Sequence, residues 1–569
     1  MRLKIIRITI IFIFLTIILS LVYAQVIRGN YYYTLSRNNS IRVVSIDGKR
    51  GRILDRNGVM ISDNRVAFDV MVVPQEVKDK EALFDYLGRI LATDKGKVIK
   101  IYQQRMVSPV TPVVVAHDIE KEKAIILEEN KFRFPGLLVQ TSFTRYYPFG
   151  EINAHVVGYV GKINRSKITQ LKDYGYTIQN IVGYSGVEEY YDRYLKGESG
   201  GRQIEVNNRG EQVRLLGLKE PASGQDITLT IDNRIQKVAM ESLQGRKGAI
   251  VVMDLDNGEI LGMVSSPTFD PNIFVDGRPE LSALFSDSSA PLLNRVISGQ
   301  YPPGSVFKVP LTIAALENHK IIPSTSFLCP GFYRLGQRQF NCSHSHGLQN
   351  LTEAIANSCN VYFFNTGLLA GPSLMMKYAK LFGLGDLTNI DLPYEARGLI
   401  PEKPQRRNAR QQRWYEGDIL NMSIGQGDIL VTPLQLMRMM ATVARNGEEI
   451  NPHVIKSINA VEIKKNFSSR HINVDPKTFE IVRTGLKAAV GSYTGTAHIL
   501  DIEGLSVFGK TGTAQTSGEY NNHAWFVGFC PEAKTKIVFC VFLEYGGSSY
   551  NACLVARDLL LGIKEEKIL

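Results

Sequence analysis

The chain has 569 residues, of which 44% are hydrophobic and 21% charged, so it is long enough for more than one domain and too apolar to be disordered. Its net charge of +11 predicts an anionic neighbourhood, such as membrane lipid or an acidic polymer. Because no zinc-finger spacing, Walker loop or dinucleotide fingerprint accompanies that charge, we expect no nucleic-acid partner.

An apolar segment near the N-terminus predicts a membrane anchor. Ile8 to Ile27 contains no charged residue, and a helix of about 20 residues spans the roughly 30 Å core of a bilayer. Val22-Tyr23-Ala24 resembles a signal-peptidase site, but this apolar run is long for a cleaved signal, so we expect an uncleaved anchor at 8–27. Basic residues in the tail at 1–7 slightly favour a cytoplasmic N-terminus, with the remainder of the chain outside.

Residues 28–225 have the pattern of an extended, strand-rich module. Val66 to Val73 alternates as a strand does. Lys80 to Leu91 and Ile119 to Asn130 have the periodicity of short amphipathic helices. Nothing in this half of the sequence assembles a nucleophile with its base, and we interpret it as a spacer or docking module, a pedestal for the C-terminal half of the chain.

Residues 226–569 predict an α+β domain. A helix over Asn233 to Leu243 precedes a hairpin from Gly248 to Ser265, which turns at Asn257-Gly258. Short connections near the C-terminus predict antiparallel strands, with helices from both ends of the domain packed on the sheet. The predicted strands are Leu505 to Phe508, Ala524 to Phe529 and Ile537 to Tyr545, followed by a helix over Ala552 to Ile563.

One Ser-x-x-Lys sequence, Ser305-Val306-Phe307-Lys308, follows a Pro-Pro-Gly turn. The apolar run from Val306 to Leu316 predicts a buried helix with Ser305 in its first turn and Lys308 on the same face. An amine there can take the proton of a hydroxyl nucleophile. Taken alone, the pattern is more simply a helix cap followed by a surface lysine. Pro310 predicts a tight or kinked start to this helix.

Two further motifs favour a catalytic serine over a helix cap. Ser358-Cys359-Asn360 lies between two apolar helical stretches, which predicts a short loop pointing into a cleft. Lys510-Thr511-Gly512-Thr513 follows a predicted strand, and its glycine permits the close approach of a ligand. Ser-x-x-Lys, Ser-x-Asn and Lys-Thr-Gly, in this order, are the signature of penicillin-recognising serine acyltransferases, although Cys359 replaces the usual Asp of the second motif.

On these motifs the chain resembles a class B penicillin-binding protein over nearly its whole length. Arg50 to Gly58 and Arg145 to Pro148 resemble the non-catalytic pedestal of that class. Ala154 to Gly161, Leu420 to Leu436 and His523 to Phe529 resemble its elongation branch, the penicillin-binding protein 2 group. The resemblance implies a penicillin-binding/β-lactamase-like α+β domain preceded by a pedestal and one transmembrane helix.

The implied activity is that of a peptidoglycan D,D-transpeptidase, which binds penicillin covalently and cross-links stem peptides ending in D-Ala-D-Ala during cell elongation. A septal or sporulation transpeptidase of the same class is an alternative, and a non-catalytic β-lactam sensor is another. A β-lactamase or carboxypeptidase would share the motifs but would need neither an anchor nor a pedestal. The resemblance also implies a plasma-membrane location and a membrane-embedded glycosyltransferase of the elongation machinery as partner.

The resemblance assigns a role to each motif residue. Ser305 is the nucleophile, Lys308 its base, Ser358 a proton shuttle and Asn360 an orienting amide. We expect burial and the charge of Lys510 to lower the pKa of Lys308, because a lysine is a base only when neutral. The backbone N–H groups of Ser305 and Thr513 form the oxyanion hole. The residues expected to bind the substrate carboxylate are Lys510, Thr511, Gly512 and Thr513.

The acyl chemistry needs no cofactor, but Cys329, Cys342, His346 and Cys359 offer one tetrahedral Cys₃His set. By the resemblance, some elongation-branch relatives hold a structural zinc there, with ligands at the positions of His346 and Cys359. His344 is a rival ligand, and a disulfide between Cys329 and Cys342 is the alternative in an exported protein. The cysteines in apolar runs are expected to be buried core residues, namely Cys530, Cys540 and Cys553.

Overall fold

The computed structural model describes residues 2–569 except 47, 107, 110, 172–173, 175, 177–179, 207–211, 277–279, 404–412, 464–469 and 517–520. The chain forms two compact units. The first contains residues 1–50, 64–144 and 196–224, and the second contains 51–63, 145–195 and 225–569. The segments at 51–63 and 145–195, which the sequence places with the pedestal, therefore pack in the second unit.

The first unit begins with a long apolar helix. Arg2–Val22 is α-helical, Tyr23–Ile27 continues it as a π-helix, and Gly29–Ser40 is α-helical again. Leu3–Ile27 is long and apolar enough to cross a membrane, with a mean hydropathy of 2.8, and no part of its most apolar window is buried against protein. The predicted anchor at 8–27 lies inside this helix, which is consistent with a single-pass membrane protein.

The rest of the first unit is a small mixed core. The predicted helices are confirmed at Lys80–Ile90 and Lys121–Glu129, and the Asp79 side chain caps the first of them by accepting from Ala82 N. The strand Met60–Val72 contains most of the predicted Val66 to Val73 strand. The other elements assigned here are the helix Lys95–Arg105, the 3₁₀ turn Lys131–Arg133 and the strands Ile41–Ile46, Val113–Ala116, Leu137–Tyr146, Gly200–Val206 and Gln212–Lys219.

The second unit is built on a five-stranded antiparallel sheet, and the predicted α+β fold is confirmed. Its strands lie in the order Ile260–Ser266, Gly248–Asp254, Ile537–Leu543, His523–Cys530 and Phe508–Ala514. Every residue of the central strand is buried, and each fully buried aliphatic or aromatic side chain contributes about 1.5–3 kcal/mol. The hairpin around Asn257-Gly258 forms as predicted.

Helices cover both faces of this sheet. Asn233–Leu243 and Ser549–Glu565 pack on one face, where Ile235, Phe526 and Leu559 share a core. Pro433–Ala444 packs on the other face with Trp525 and Phe542. The remaining α-helices of the unit are Ala154–Val157, Arg165–Leu171, Gly186–Tyr190, Asp192–Leu195, Asn272–Asp276, Glu280–Ser286, Lys308–Glu317, Leu351–Ala356, Asn360–Ala370, Pro372–Leu381, Glu416–Ser423 and Pro476–Gly491.

Short 3₁₀ turns and strands complete the unit. The 3₁₀ turns are Gly150–Asn153, Gly304–Phe307 and His498–Leu500. The short strands are Ile53–Leu54, Val160–Lys162, Ile181–Gly183, Ile227–Leu229, Phe327–Cys329, Phe332–Leu335, Arg338–Asn341, Gly347–Gln349, Ile455–Ile458 and Val461–Glu462.

The strand Phe508–Ala514, called here the edge strand, corrects the prediction of a strand over Leu505 to Phe508. It pairs with His523–Cys530 from Phe508 opposite Phe529 to Ala514 opposite His523. The Lys-Thr-Gly-Thr motif therefore lies within the strand and not after it. Its lysine and glycines have weak intrinsic strand preference, and pairing with an apolar neighbour strand decides their conformation.

A buried ion pair supports the part of the second unit that precedes the sheet. Arg145 is 3% exposed and Glu188 is fully buried. The Arg145 Nε donates to Glu188 Oε1 at 2.6 Å, and its Nη1 donates to the carbonyl of Gly51 at 2.7 Å. Because one charge neutralises the other, removing either side chain takes away a neutralising contact in the core.

We expect Arg145→Ala to destabilise the protein by about 3–5 kcal/mol, since it removes the cation that lies 2.6 Å from the buried Glu188 carboxylate. Lys380→Ala is the matched control, because the pair Lys380–Glu402 is 41% and 80% exposed and an exposed pair contributes at most about 1 kcal/mol. Thermal unfolding of the detergent-solubilised full chain, followed by circular dichroism, measures both. Equal small shifts in the two variants would show that the buried pair does not support the fold.

Candidate active site

The serine turn, Tyr301–Phe307, brings Ser305 to the start of a buried helix. Gly304–Phe307 forms a 3₁₀ turn that continues into the α-helix Lys308–Glu317, so the expected tight start of this helix is confirmed. Gly304 has φ +56°, a conformation that favours glycine. The indole Nε1 of Trp525 donates to the carbonyl of Pro302 at 3.0 Å. Ser305 itself is half-buried.

The amine of Lys308 joins the first motif to the second. Its Nζ donates to the Ser358 carbonyl at 2.7 Å, to Ser358 Oγ at 3.2 Å and to Asn360 Oδ1 at 2.8 Å. Ser358 has φ +53°, an uncommon conformation for a residue with a side chain, and both of its oxygens face the amine. The predicted loop at Ser358 is thus a strained turn. It brings Ser358 and Asn360 into contact with the amine of Lys308, which lies one helical turn after Ser305.

Burial controls the protonation of both motif lysines. Lys308 is 1% exposed, and burial lowers its pKa to about 8, although the nearby Cys342 and Cys359 act in the opposite direction. Lys510 is fully buried, and burial lowers its pKa well below the usual value, with the charge of Lys308 adding to the effect. Burial is therefore the largest influence on the pKa of each lysine, and the mutual repulsion of the two charges adds to it.

The third motif presents its residues unequally. Thr511 is 2% exposed, and its hydroxyl donates to Thr496 Oγ1 at 2.9 Å. Gly512 is also buried, whereas Thr513 is half-exposed. The Lys510 Nζ donates to the carbonyl of Thr511 at 3.3 Å. Of the four residues expected to bind the substrate carboxylate, Thr513 is therefore the accessible one, and the Thr511 hydroxyl has an internal partner.

Two residues that sequence reasoning did not single out connect the motifs. Thr496 donates from its backbone N and from its Oγ1 to the carbonyl of Ala356, both at 3.2 Å, which links the edge strand to the helix that leads to Ser358. Gln426 donates from Nε2 to the carbonyl of Thr513 at 3.3 Å. The glycines on either side of Gln426 signal a turn, but no local pattern marks Thr496.

Four potential metal ligands lie beside the second motif. One ligand atom from each of Cys329, Cys342, His346 and Cys359 falls within 4.8 Å of all the others. The His346 Nδ1 is 3.5 Å from the sulfurs of both Cys329 and Cys342. His344, the rival ligand, is exposed and is not a member of this group. All six cysteines are free thiols, and Cys530, Cys540 and Cys553 are buried as expected.

The chemistry of the group fits a zinc ion. A tetrahedral zinc with Zn–S bonds near 2.3 Å holds its ligand atoms about 3.8 Å apart, which is close to the spacing seen here. Hydrogen bonds from the Cys359 thiol and from the N–H of Asn360 hold the pKa of the Cys342 thiol well below its usual range. A thiolate is the form of cysteine that binds metal.

Two protein-family descriptions match the chain. The Penicillin binding protein transpeptidase domain matches residues 248–560, and the Penicillin-binding Protein dimerisation domain matches residues 45–229. The first match contains the serine turn, the second motif and the edge strand.

Curated relatives align over most of the chain. The peptidoglycan D,D-transpeptidase MrdA of Acinetobacter baumannii is 32% identical over 94% of this chain and 83% of its own length. Stage V sporulation protein D of Bacillus subtilis is 30% identical over 98% of this chain and 85% of its own length.

Solved structures share the fold. The complex between the penicillin-binding protein PBP2 and MreC from Helicobacter pylori aligns with a TM-score of 0.83 at 28% identity, over 93% of this chain and 100% of that one. A structure titled "Structural coordination of polymerization and crosslinking by a peptidoglycan synthase complex" aligns with a TM-score of 0.72 at 30% identity, over 99% of this chain and 98% of that one.

Proposed function

The chain belongs to the penicillin-binding protein transpeptidase family, and we propose that it cross-links peptidoglycan through an acyl-enzyme on Ser305. It is a peptidoglycan D,D-transpeptidase, an acyl-serine enzyme. The assignment of Ser305 rests on the buried Lys308 amine one helical turn away, which Ser358 and Asn360 hold in place.

In the acylation step, neutral Lys308 takes the proton of the Ser305 hydroxyl, and the Oγ attacks the carbonyl of the penultimate D-Ala. The bond to the last D-Ala breaks, Ser358 passes a proton to the leaving amine, and an ester on Ser305 remains. The backbone N–H groups of Ser305 and Thr513 stabilise the oxyanion, and loss of one such donor costs about 3 kcal/mol. The amine of a neighbouring stem peptide then attacks the ester, which forms the cross-link and restores the serine.

Recognition of the donor's terminal carboxylate falls to the edge strand. Thr513 offers a half-exposed hydroxyl there, and an unpaired strand edge offers backbone groups to an extended peptide. Lys510 contributes its charge when protonated, and the hydroxyl of Thr511 bonds the strand to Thr496.

The cellular role we propose is cell-wall synthesis during elongation. Relatives named MrdA and the PBP2 fold neighbour support this assignment. A role in sporulation is the second candidate, because one relative is named stage V sporulation protein D.

We place the N-terminus in the cytoplasm and the catalytic domain outside the plasma membrane. We also propose a membrane-embedded glycosyltransferase as partner. The fold neighbour whose title couples polymerization to crosslinking supports that partnership.

Zinc would be held by Cys329, Cys342, His346 and Cys359. It would supply no reactive group and would act as a structural tie. Because Asn360 N donates to Cys342 Sγ at 3.2 Å, a fixed Cys342 also fixes the start of the helix that carries Asn360.

We expect Ser305→Ala to abolish covalent labelling by a fluorescent penicillin, because the variant lacks the oxygen that forms the ester. Ser324→Ala, at an exposed serine, serves as the control and should label as the wild type does. Labelling of Ser305→Ala at the wild-type rate would mean that the nucleophile is another residue. Cross-linking of lipid-linked substrate with a partner glycosyltransferase then separates an enzyme from a sensor, since a sensor labels without forming cross-links.

The acylation rate should rise with pH up to about 8 and then level off, because burial lowers the pKa of Lys308 to about 8 and only neutral Lys308 accepts a proton. Below that pKa the rate constant should fall about tenfold for each pH unit. Penicillin labelling under pseudo-first-order conditions measures the profile. A rate that is independent of pH across this range would exclude Lys308 as the base.

Purified protein should contain one zinc per chain by elemental mass spectrometry. Cys329→Ser should lose the metal and lower the melting temperature, because three ligands hold zinc less tightly than four. Cys553→Ala, in the core away from the cluster, should keep it. Zinc well below one per chain, together with two fewer titratable thiols than the six in the sequence, would favour the disulfide.

A further inference from the structure

The loop Ile424–Gly427 contacts both the serine turn and the edge strand. The carbonyl of Gly425 accepts from Gly304 N at 3.1 Å, and Gln426 Nε2 donates to the carbonyl of Thr513 at 3.3 Å. Gly304 immediately precedes Ser305. Two consecutive loop residues therefore hold the two backbone segments whose N–H groups are proposed to form the oxyanion hole.

The bond to Thr513 controls the direction of its N–H group. A residue in an antiparallel strand presents its N–H and C=O to the same side. Because the carbonyl of Thr513 bonds to Gln426, it faces away from the neighbouring strand, and its N–H faces the same open edge. The two groups belong to peptide planes that share one Cα, so a held carbonyl limits the rotation that would turn the N–H away.

Close backbone packing leaves these segments little freedom. A side chain at Gly304 would lie 2.7 Å from the carbonyl oxygen of Thr513, and a side chain at Gly425 would collide with the carbonyl of Gly304. Both glycines have positive φ, +56° and +68°. The serine turn therefore packs directly, backbone against backbone, on the edge strand on one side and on the loop on the other.

The loop is itself anchored. Gln426 N donates to the carbonyl of Asn421 at 3.0 Å, and Gly425 N donates to the carbonyl of Met422 at 2.9 Å. Both acceptors lie in the helix Glu416–Ser423. The Gln426 amide thus reaches Thr513 from a fixed base.

We propose that Gln426 is a positioning residue, which sets the distance between the two oxyanion donors by holding Thr513 while its neighbour Gly425 holds the serine turn. This inference rests on the proposed function, because it needs Ser305 as nucleophile. A donor is required at this position. A carboxylate of the same shape would repel the Thr513 carbonyl, and a thioether of similar length would leave it without a partner.

The test compares Gln426→Met and Gln426→Glu with the wild type in the full-length protein, using penicillin as the probe. We expect the acylation rate constant to fall about 10- to 100-fold, the effect of a displacement near 1 Å at a reacting centre. The non-covalent dissociation constant should stay within about twofold, because the ground state makes little use of the oxyanion hole. The melting temperature and the midpoint of the pH profile should not change.

Gln300→Glu is the matched control, because it adds the same negative charge at an exposed position one residue before the serine turn. An equal loss of rate in this control would assign the effect to charge and overturn the proposal. Acylation of Gln426→Met at the wild-type rate would overturn it as well. So would a rate loss that comes with an equally lowered melting temperature and weaker penicillin binding in both variants. If the wild type is not labelled on Ser305, the proposed function fails before the variants are compared.

Discussion

The second unit depends on the burial of one lysine. Lys308 is removed from water, and a buried cation is tolerated only where protein groups replace its hydration or where it loses its proton. Both occur here. Ser358 and Asn360 supply three oxygens to the amine, and burial brings its pKa to about 8. The contacts that make this burial possible also bring Ser358 and Asn360 of the second motif to Lys308 of the first. The site therefore assembles as the amine is solvated by protein oxygens.

Backbone packing supplies the rest of the site. The serine turn packs against the backbone of the edge strand at Thr513, which the absence of a side chain at Gly304 allows. Thr496 and Gln426 then connect that strand to the other two motifs. The nucleophile, its base and the oxyanion donors are thus held by short links between elements that lie far apart in the sequence. A cysteine cluster beside Asn360 adds a further link at the second motif.

Much of this arrangement is predictable from local patterns. Apolar periodicity and turn residues predict the anchor, the helix Asn233–Leu243 and the hairpin around Asn257-Gly258, because local propensity and burial agree there. Local pattern misplaces the strand that contains Lys510, because there local propensity and tertiary pairing disagree. Its lysine and glycines have weak strand preference, and pairing with His523–Cys530 makes them a strand. The resemblance assigns Thr511 to substrate binding, and the fold adds that its hydroxyl donates to Thr496 Oγ1.

The order of residues along the chain is enough to establish the chemical class, because the three motifs name the nucleophile, the amine and the amide, and because an apolar span precedes them. It is also enough to identify four side chains that can share a metal. Folding decides how deeply Lys308 is buried, which lowers its pKa, and that Gln426 and Thr496 bond to the edge strand. The physical reason is the distance along the chain over which each effect acts. A motif consists of residues close in sequence, whereas desolvation and hydrogen bonding depend on groups that folding brings together.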